Sequence, residues 1–265
     1  MVLWLNFELF AIRFQKSKYF CPQMNVLGLS AIFLTSVFSG WLAYRIRLKN
    51  MYWIRISLGF SGAYLLSVAI LHLLPEIFEH EKKYISFFLL GGFFLQLIIE
   101  YFSKGLEHGH IHTSKDHNHQ HGKLYTIILG ISIHGLIEGL PLSGTGFKHH
   151  EAVQNMYMGI ILHHIPSAFV LVIMLKNAHL RTNQIILILI LTSLSVPLGA
   201  ISGKMLFEQS LSMYFDYLLA VVVGVFLHLS TTILFESAEP DHQYRFRKFV
   251  AVCFGVILAS LISLL

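Results

Sequence analysis

The sequence predicts an all-α fold, a polytopic membrane protein built as an eight-transmembrane-helix bundle. Three observations predict it. Of 265 residues, 55 % are hydrophobic and only 12 % charged, about half the charged fraction usual in soluble domains. The apolar residues come in blocks close to the ~20 residues that a helix needs to cross a bilayer. The polar residues collect between those blocks. Together they imply a single transmembrane domain over 24–265, without a soluble domain of useful size.

The first block, Asn25–Tyr44, follows a basic, aromatic leader (1–23) and stops at the basic run RIRLKN. The leader lacks a small-residue cleavage pattern, and Met24 is an alternative start. The second block, Ile56–Leu74, lies between Arg55 and Pro75, and the third, Tyr84–Ser103, follows Lys82 and Lys83. The fourth and fifth are Leu124–Ser143 and Asn155–Leu175, the latter closed by Lys176. Gln184–Phe207 and Tyr214–Phe235 follow, then Phe249–Leu265, which at 17 residues is at the short limit for a span. Apart from one polar loop the connections are short, so consecutive spans are expected to pack antiparallel.

Basic residues mark cytoplasmic loops, so the net charge of +5 speaks of orientation rather than of nucleic acid. With RIRLKN inside, Arg45, Arg47, Lys49, Arg55, Lys104, Lys115, Lys123, Lys176, Arg181, Arg245, Arg247 and Lys248 are cytoplasmic, twelve of nineteen basic residues. The expectation is a multi-pass protein of the cell (plasma or inner) membrane with both termini outside and loop 104–123 cytoplasmic.

The two cysteines, Cys21 and Cys253, lie in the leader and inside a span, and imply neither a disulfide nor a thiolate site. Chemistry must come from histidine, carboxylate and hydroxyl groups. The loop SKGLEHGHIHTSKDHNHQHGK contains His108, His110, His112, His117, His119 and His121 among Gly, Ser and Asn. That composition reads as flexible metal-attracting sequence, or as a solvated linker.

An ionisable group inside a bilayer costs ~3 kcal/mol or more at a helix centre, so it faces a cavity or a partner. Glu138 is the acidic residue lying well inside a span, and His134 is four positions before it, on the same helix face. Imidazole and carboxylate on adjacent turns offer two ligands to a divalent metal; a hydrogen-bonded pair joining two helices is the plainer reading. The next span carries His163 and His164 in HHIPSAF, their side chains about 100° apart around the helix. Pro166 frees the carbonyl of Leu162 and opens space there, and Pro141 is expected to act similarly on the fourth span. Gly130, Gly135, Gly139 and Gly159 would let spans four and five approach. His134, Glu138, His163 and His164 form the candidate metal set.

The stretches HGLIEG and HHIPSAF, with SGAYLLSVAILHLLPE in the second span, resemble the signatures of the ZIP (Zrt/Irt-like protein) metal transporters. Eight spans, outward termini and a histidine-rich loop between spans three and four resemble that family too, over Met24 to Leu265. The resemblance implies a transporter that moves a divalent transition metal, zinc foremost, with iron or manganese as alternatives, into the cytoplasm through a His/Glu site on helices four and five. It implies no enzyme activity. The implied partners are divalent metal ions and the lipid bilayer, with a homodimer left open and no nucleic acid. The family commonly has a glutamate where Ser167 stands, and another before the sixth-span proline, where Val196 precedes Pro197. These departures strike the second half of a two-metal site.

Outlying polar residues each admit two readings. His72 and Glu76 could gather a metal at the outer end of span two or form a helix-end pair. His228, near Thr231 and Thr232, could be a pathway ligand or a buried, hydrogen-bonded histidine. Glu236, Glu239, Asp241 and His242 read as a solvated inner loop that could receive metal, and Asp216 as interfacial. Gln96 and Glu100 are weak candidates in span three. Two other classes share these ligands: an intramembrane zinc-dependent hydrolase with a metal-bound water, using Ser132 or Ser167, and a bis-histidine haem protein.

The charge asymmetry yields a test of topology. A Lys115→Cys protein in which Cys21 and Cys253 have been replaced by serine should, in intact cells, resist a membrane-impermeant thiol reagent and react only after permeabilisation.

Overall fold

The computed structural model describes residues 24–46, 52–79, 82–103, 120–143, 146–209, 211–236 and 242–262. The histidine loop through His119 and the 1–23 leader lie outside them, as do Glu239 and Asp241, while His121 and Lys123, expected in the loop, fall in the first turn of α4. Among the described residues eight long helices run in chain order: α1 (Val26–Arg45), α2 (Tyr52–Phe78), α3 (Ile85–Ser103), α4 (Gln120–Gly139), α5 (His150–Asn177), α6 (Thr182–Gln209), α7 (Phe215–Glu236) and α8 (His242–Ile262). Seven are long and apolar enough to cross a membrane; α8 begins with Arg245, Arg247 and Lys248 among its first two turns. The chain is a multi-pass helical membrane protein. The helices overrun the apolar blocks, as in α5, which starts five residues before Asn155. Hydropathy marks the hydrocarbon thickness, whereas a helix continues into the polar interface wherever its backbone bonds can.

Local sequence sets the helix details. The Asn25 side chain caps α1, accepting from the Gly28 amide at 3.0 Å. In α2, Pro75 cannot bond to the carbonyl one turn earlier, and the helix widens into a π turn over Ala69–Leu73. Pro141 does not kink a continuing helix: α4 tightens into a 3₁₀ turn at Leu140–Ser143 and stops. Pro166 is accommodated inside an unbroken α5.

Packing departs from the expected antiparallel neighbours. The broadest interfaces join α3 to α7, α1 to α5, α2 to α8 and α4 to α6. All four pairs run parallel, as the order of their contacts shows. Ser39 meets Ile165 and Tyr44 meets Thr182 and Lys176 along α1; Lys82 meets Asp216 and Glu100 meets His228 along α3. Short loops dictate only that consecutive helices alternate in direction. They leave the choice of partner to side-chain shape.

That choice rests on glycine. Lipid is as apolar as leucine, so helices associate in it through close backbone approach. Gly135 and Gly139 face α6, where a Cβ would run into Ser195 Oγ and the Val196 carbonyl; Gly199 and Gly203 answer from α6 against the Leu136 and Leu140 carbonyls. Gly92 and Gly224 join α3 to α7 in the same way. Gly135 and Gly139 therefore do not bring α4 to α5, and Gly159 of α5 faces Leu65 and Tyr64 of α2. α2 and α7 are the most buried spans and α3 the most exposed, its Phe87 and Tyr101 being 70 % and 78 % exposed on the surface left to hydrocarbon.

Gly199→Val should cost ~1–3 kcal/mol through overpacking against backbone that cannot yield, lowering the midpoint of thermal unfolding in detergent. Gly91→Ala, at a position with nothing within 4 Å, should leave the midpoint unchanged or raise it.

Candidate metal centre

The glycine face of α4 fixes where its other faces point. With Gly135 and Gly139 pressed on α6, His134 and Glu138 turn toward α3 and α5. His134 is 3 % exposed and Glu138 fully buried. His134 Nε2 lies 2.9 Å from Glu138 Oε1, and His164 Nε2 reaches from α5 to Glu138 Oε2, also at 2.9 Å. His163, nearly inaccessible, completes a group with His134 and Glu138 whose ligand atoms lie within 4.8 Å of one another. The His163 and His164 rings stand at 87° to each other with centroids 5.8 Å apart. Thus the four candidate ligands converge, His164 through the second oxygen of Glu138.

Beside them is a cavity of about 30 Å³, room for an ion or a water or two. The three histidines line it with Ser167 of α5, Ser36 of α1, and Thr192 and Ser193 of α6. Ser167 donates to the His163 carbonyl at 2.9 Å and lies 3.3 Å from His163 Nε2. Val196 is fully buried against Gly135, so α6 meets the cavity through neutral hydroxyls one turn earlier.

The outlying candidates separate. Gln96, fully buried on α3, places Oε1 3.1 Å from His134 Nδ1 and so belongs beside the cluster. Glu100, one turn on, pairs instead with His228 of α7 at 2.6 Å, with the ring of Phe93 edge-on to that histidine. His72 meets Asn155 of α5 at 3.1 Å. Glu76, 3 % exposed, accepts from the Lys148 amide and lies 2.6 Å from His149 Nδ1, while Glu79 Oε2 is 3.7 Å from the same nitrogen. Glu76, Glu79 and His149 have ligand-capable atoms within 4.8 Å of one another, but Lys148 Nζ stands 3.6 Å from Glu79, and the group closes the entry to α5. Asp216 pairs with Lys82 at 3.0 Å. Glu236 ends α7 and His242 begins α8.

Sequence reasoning missed Ser36, Thr192, Ser193, His149 and Asn155. Hydroxyl residues are common in apolar helices, and His149 and Asn155 stand at the polar edge of the fifth apolar block, where polar residues are ordinary. Gln96 carried a usable signal, being an amide in the run FFLQLIIE where every neighbour within three positions is apolar.

A buried set of three imidazoles and one carboxylate suits a borderline divalent cation. The class defined by fold and site is a polytopic membrane protein with an intramembrane His/Glu centre. The sequence model described as ZIP zinc transporter matches residues 23–126 and 123–263, and the chain belongs to that family. It is 29 % identical over 125 residues to zinc transporter ZIP9-B of Xenopus laevis, covering 45 % of this chain and 41 % of that protein. To zinc transporter ZIP9 of Micropogonias undulatus it is 26 % identical over 178 residues, 63 % of this chain and 56 % of that one. The chain spans about half the length of these curated relatives.

A second divalent ion beside the first needs further anions to offset their repulsion, and around the cavity Ser167, Thr192 and Ser193 supply only neutral oxygens. Metal-edge anomalous scattering should show one intramembrane ion per chain, between α4 and α5; two peaks within ~5 Å, the scale of a shared site, would contradict this.

Proposed function

We propose that the chain carries a divalent transition metal, zinc foremost, across the membrane into the cytoplasm, with His134, Glu138, His163 and His164 as its transport site. The observation that carries this is the fully buried Glu138 carboxylate held by two imidazoles at 2.9 Å, with a third in the same group. Family membership supports zinc, the family resemblance supports the inward direction, and the distribution of basic residues supports an orientation with loop 104–123 in the cytoplasm.

The ligands account for both halves of transport. Neutral imidazoles and an ionised Glu138 bind the cation, so binding weakens as acidification protonates them. One carboxylate leaves a bound divalent ion with net positive charge in a poorly polarisable site, which limits affinity and favours release. The match of the ZIP zinc transporter sequence model to both halves of the chain supports this reading over a membrane hydrolase.

Glu138→Gln keeps size and hydrogen bonding and removes the charge. Loss of an outer-shell partner alone costs ~10–100-fold in metal affinity, so loss of this ligand should reduce zinc uptake into proteoliposomes at least that far with normal insertion. Near-parental uptake at limiting zinc would leave Glu138 as helix glue.

A further inference from the structure

Gln96 reaches the centre from α3, whose other large side chains mostly face outward. Its amide oxygen lies 3.1 Å from His134 Nδ1, while His134 Nε2 lies 2.9 Å from Glu138 Oε1. Both ring nitrogens therefore face oxygen. A neutral imidazole has one N–H and one lone pair. An amide oxygen only accepts, so it draws the N–H to Nδ1 and turns the Nε2 lone pair toward the carboxylate. Lone pair and carboxylate repel at that distance unless a cation lies between them.

We propose that Gln96 is a positioning residue of the transport site: by accepting from His134 Nδ1–H it fixes the tautomer and ring orientation in which Nε2 and Glu138 jointly demand a metal ion. This rests on the reading of His134 and Glu138 as transport ligands. Metal-binding histidines generally have their second nitrogen held by such a partner, and a carboxylate there makes the imidazole a stronger ligand. α3 contains both versions. Glu100 takes the ring nitrogen of His228 at 2.6 Å, outside the cluster, whereas the partner within it is a neutral amide. A neutral acceptor orients His134 without adding a second negative charge. It keeps the ion releasable.

The test is zinc uptake by the full chain in proteoliposomes, normalised to inserted protein, with KM and maximal rate determined separately. Gln96→Met, similar in volume but without an acceptor of this strength, should raise KM ~10–100-fold. Gln96→Glu should hold KM at or below the parental value and lower the maximal rate, because tighter binding slows release. That pattern is not expected of a glutamine that merely fills space, for which a buried carboxylate would be the worse replacement. A parental KM in Gln96→Met overturns the proposal, and so does a lowered one, which would mean that the amide donates to Nδ1 and holds the non-binding tautomer. If Gln96→Met fails to insert, Gln96→Glu decides alone: a raised KM overturns the proposal. Glu138→Gln measured alongside separates the two readings. Abolished uptake there with a parental KM in Gln96→Met removes only the role of Gln96; normal uptake in Glu138→Gln removes the transport site and this inference together.

Discussion

A carboxylate without access to water is the constraint around which this bundle is arranged. Glu138 is fully buried, and both of its oxygens are 2.9 Å from imidazole nitrogens on two different helices. Removing an ion from water costs several kcal/mol unless opposite charge or strong hydrogen bonds replace the solvent. Imidazoles are a conditional replacement, satisfying a carboxylate only through an N–H or a shared cation. A cation shared between these side chains would complete that replacement, which is the basis of the metal site proposed above.

The close approach of α4 and α6 is what aims that carboxylate. Glycines on both helices interlock against the opposing backbone, which locks the rotation of α4 about its axis and turns His134 and Glu138 away from α6. A larger side chain at Gly139 or Gly199 would separate the helices and rotate the ligands away from α5. Packing and chemistry are thus coupled through a few missing methyl groups. The coupling also explains why Val196 cannot serve as a ligand position here: its place against Gly135 is part of that interlock, and the cavity is met instead by Thr192 and Ser193.

The long helices and the convergence of His134, Glu138, His163 and His164 were legible because bilayer thickness and the cost of buried charge act on one residue or one window at a time. HGLIEG and HHIPSAF announce themselves against apolar surroundings. The helix partnering was not legible. Alternating direction follows from loop length, but the choice among parallel partners, which lie two, four or six helices apart along the chain, depends on which small residues meet, and that is a property of two surfaces. Gly135 and Gly159 were visible as small residues, though not as residues facing α6 and α2. The same limit hid His149 and Asn155, whose roles arise from Glu76 and His72 some 80 positions away.

Affinity and release pull against each other in any carrier, and in the transport site proposed here the donor set would favour release. Its donors are imidazoles and one carboxylate, followed around the cavity by the hydroxyls of Ser36, Ser167, Thr192 and Ser193. A hydroxyl can hold an ion's remaining water without offsetting its charge. Each acid added here would deepen binding through Coulomb attraction in a medium that screens little. Under the proposed transport reading, neutral oxygens would let a passing cation keep partial hydration and would leave most of the selection to three imidazoles, donors that prefer nitrogen-seeking metals such as zinc to calcium or magnesium.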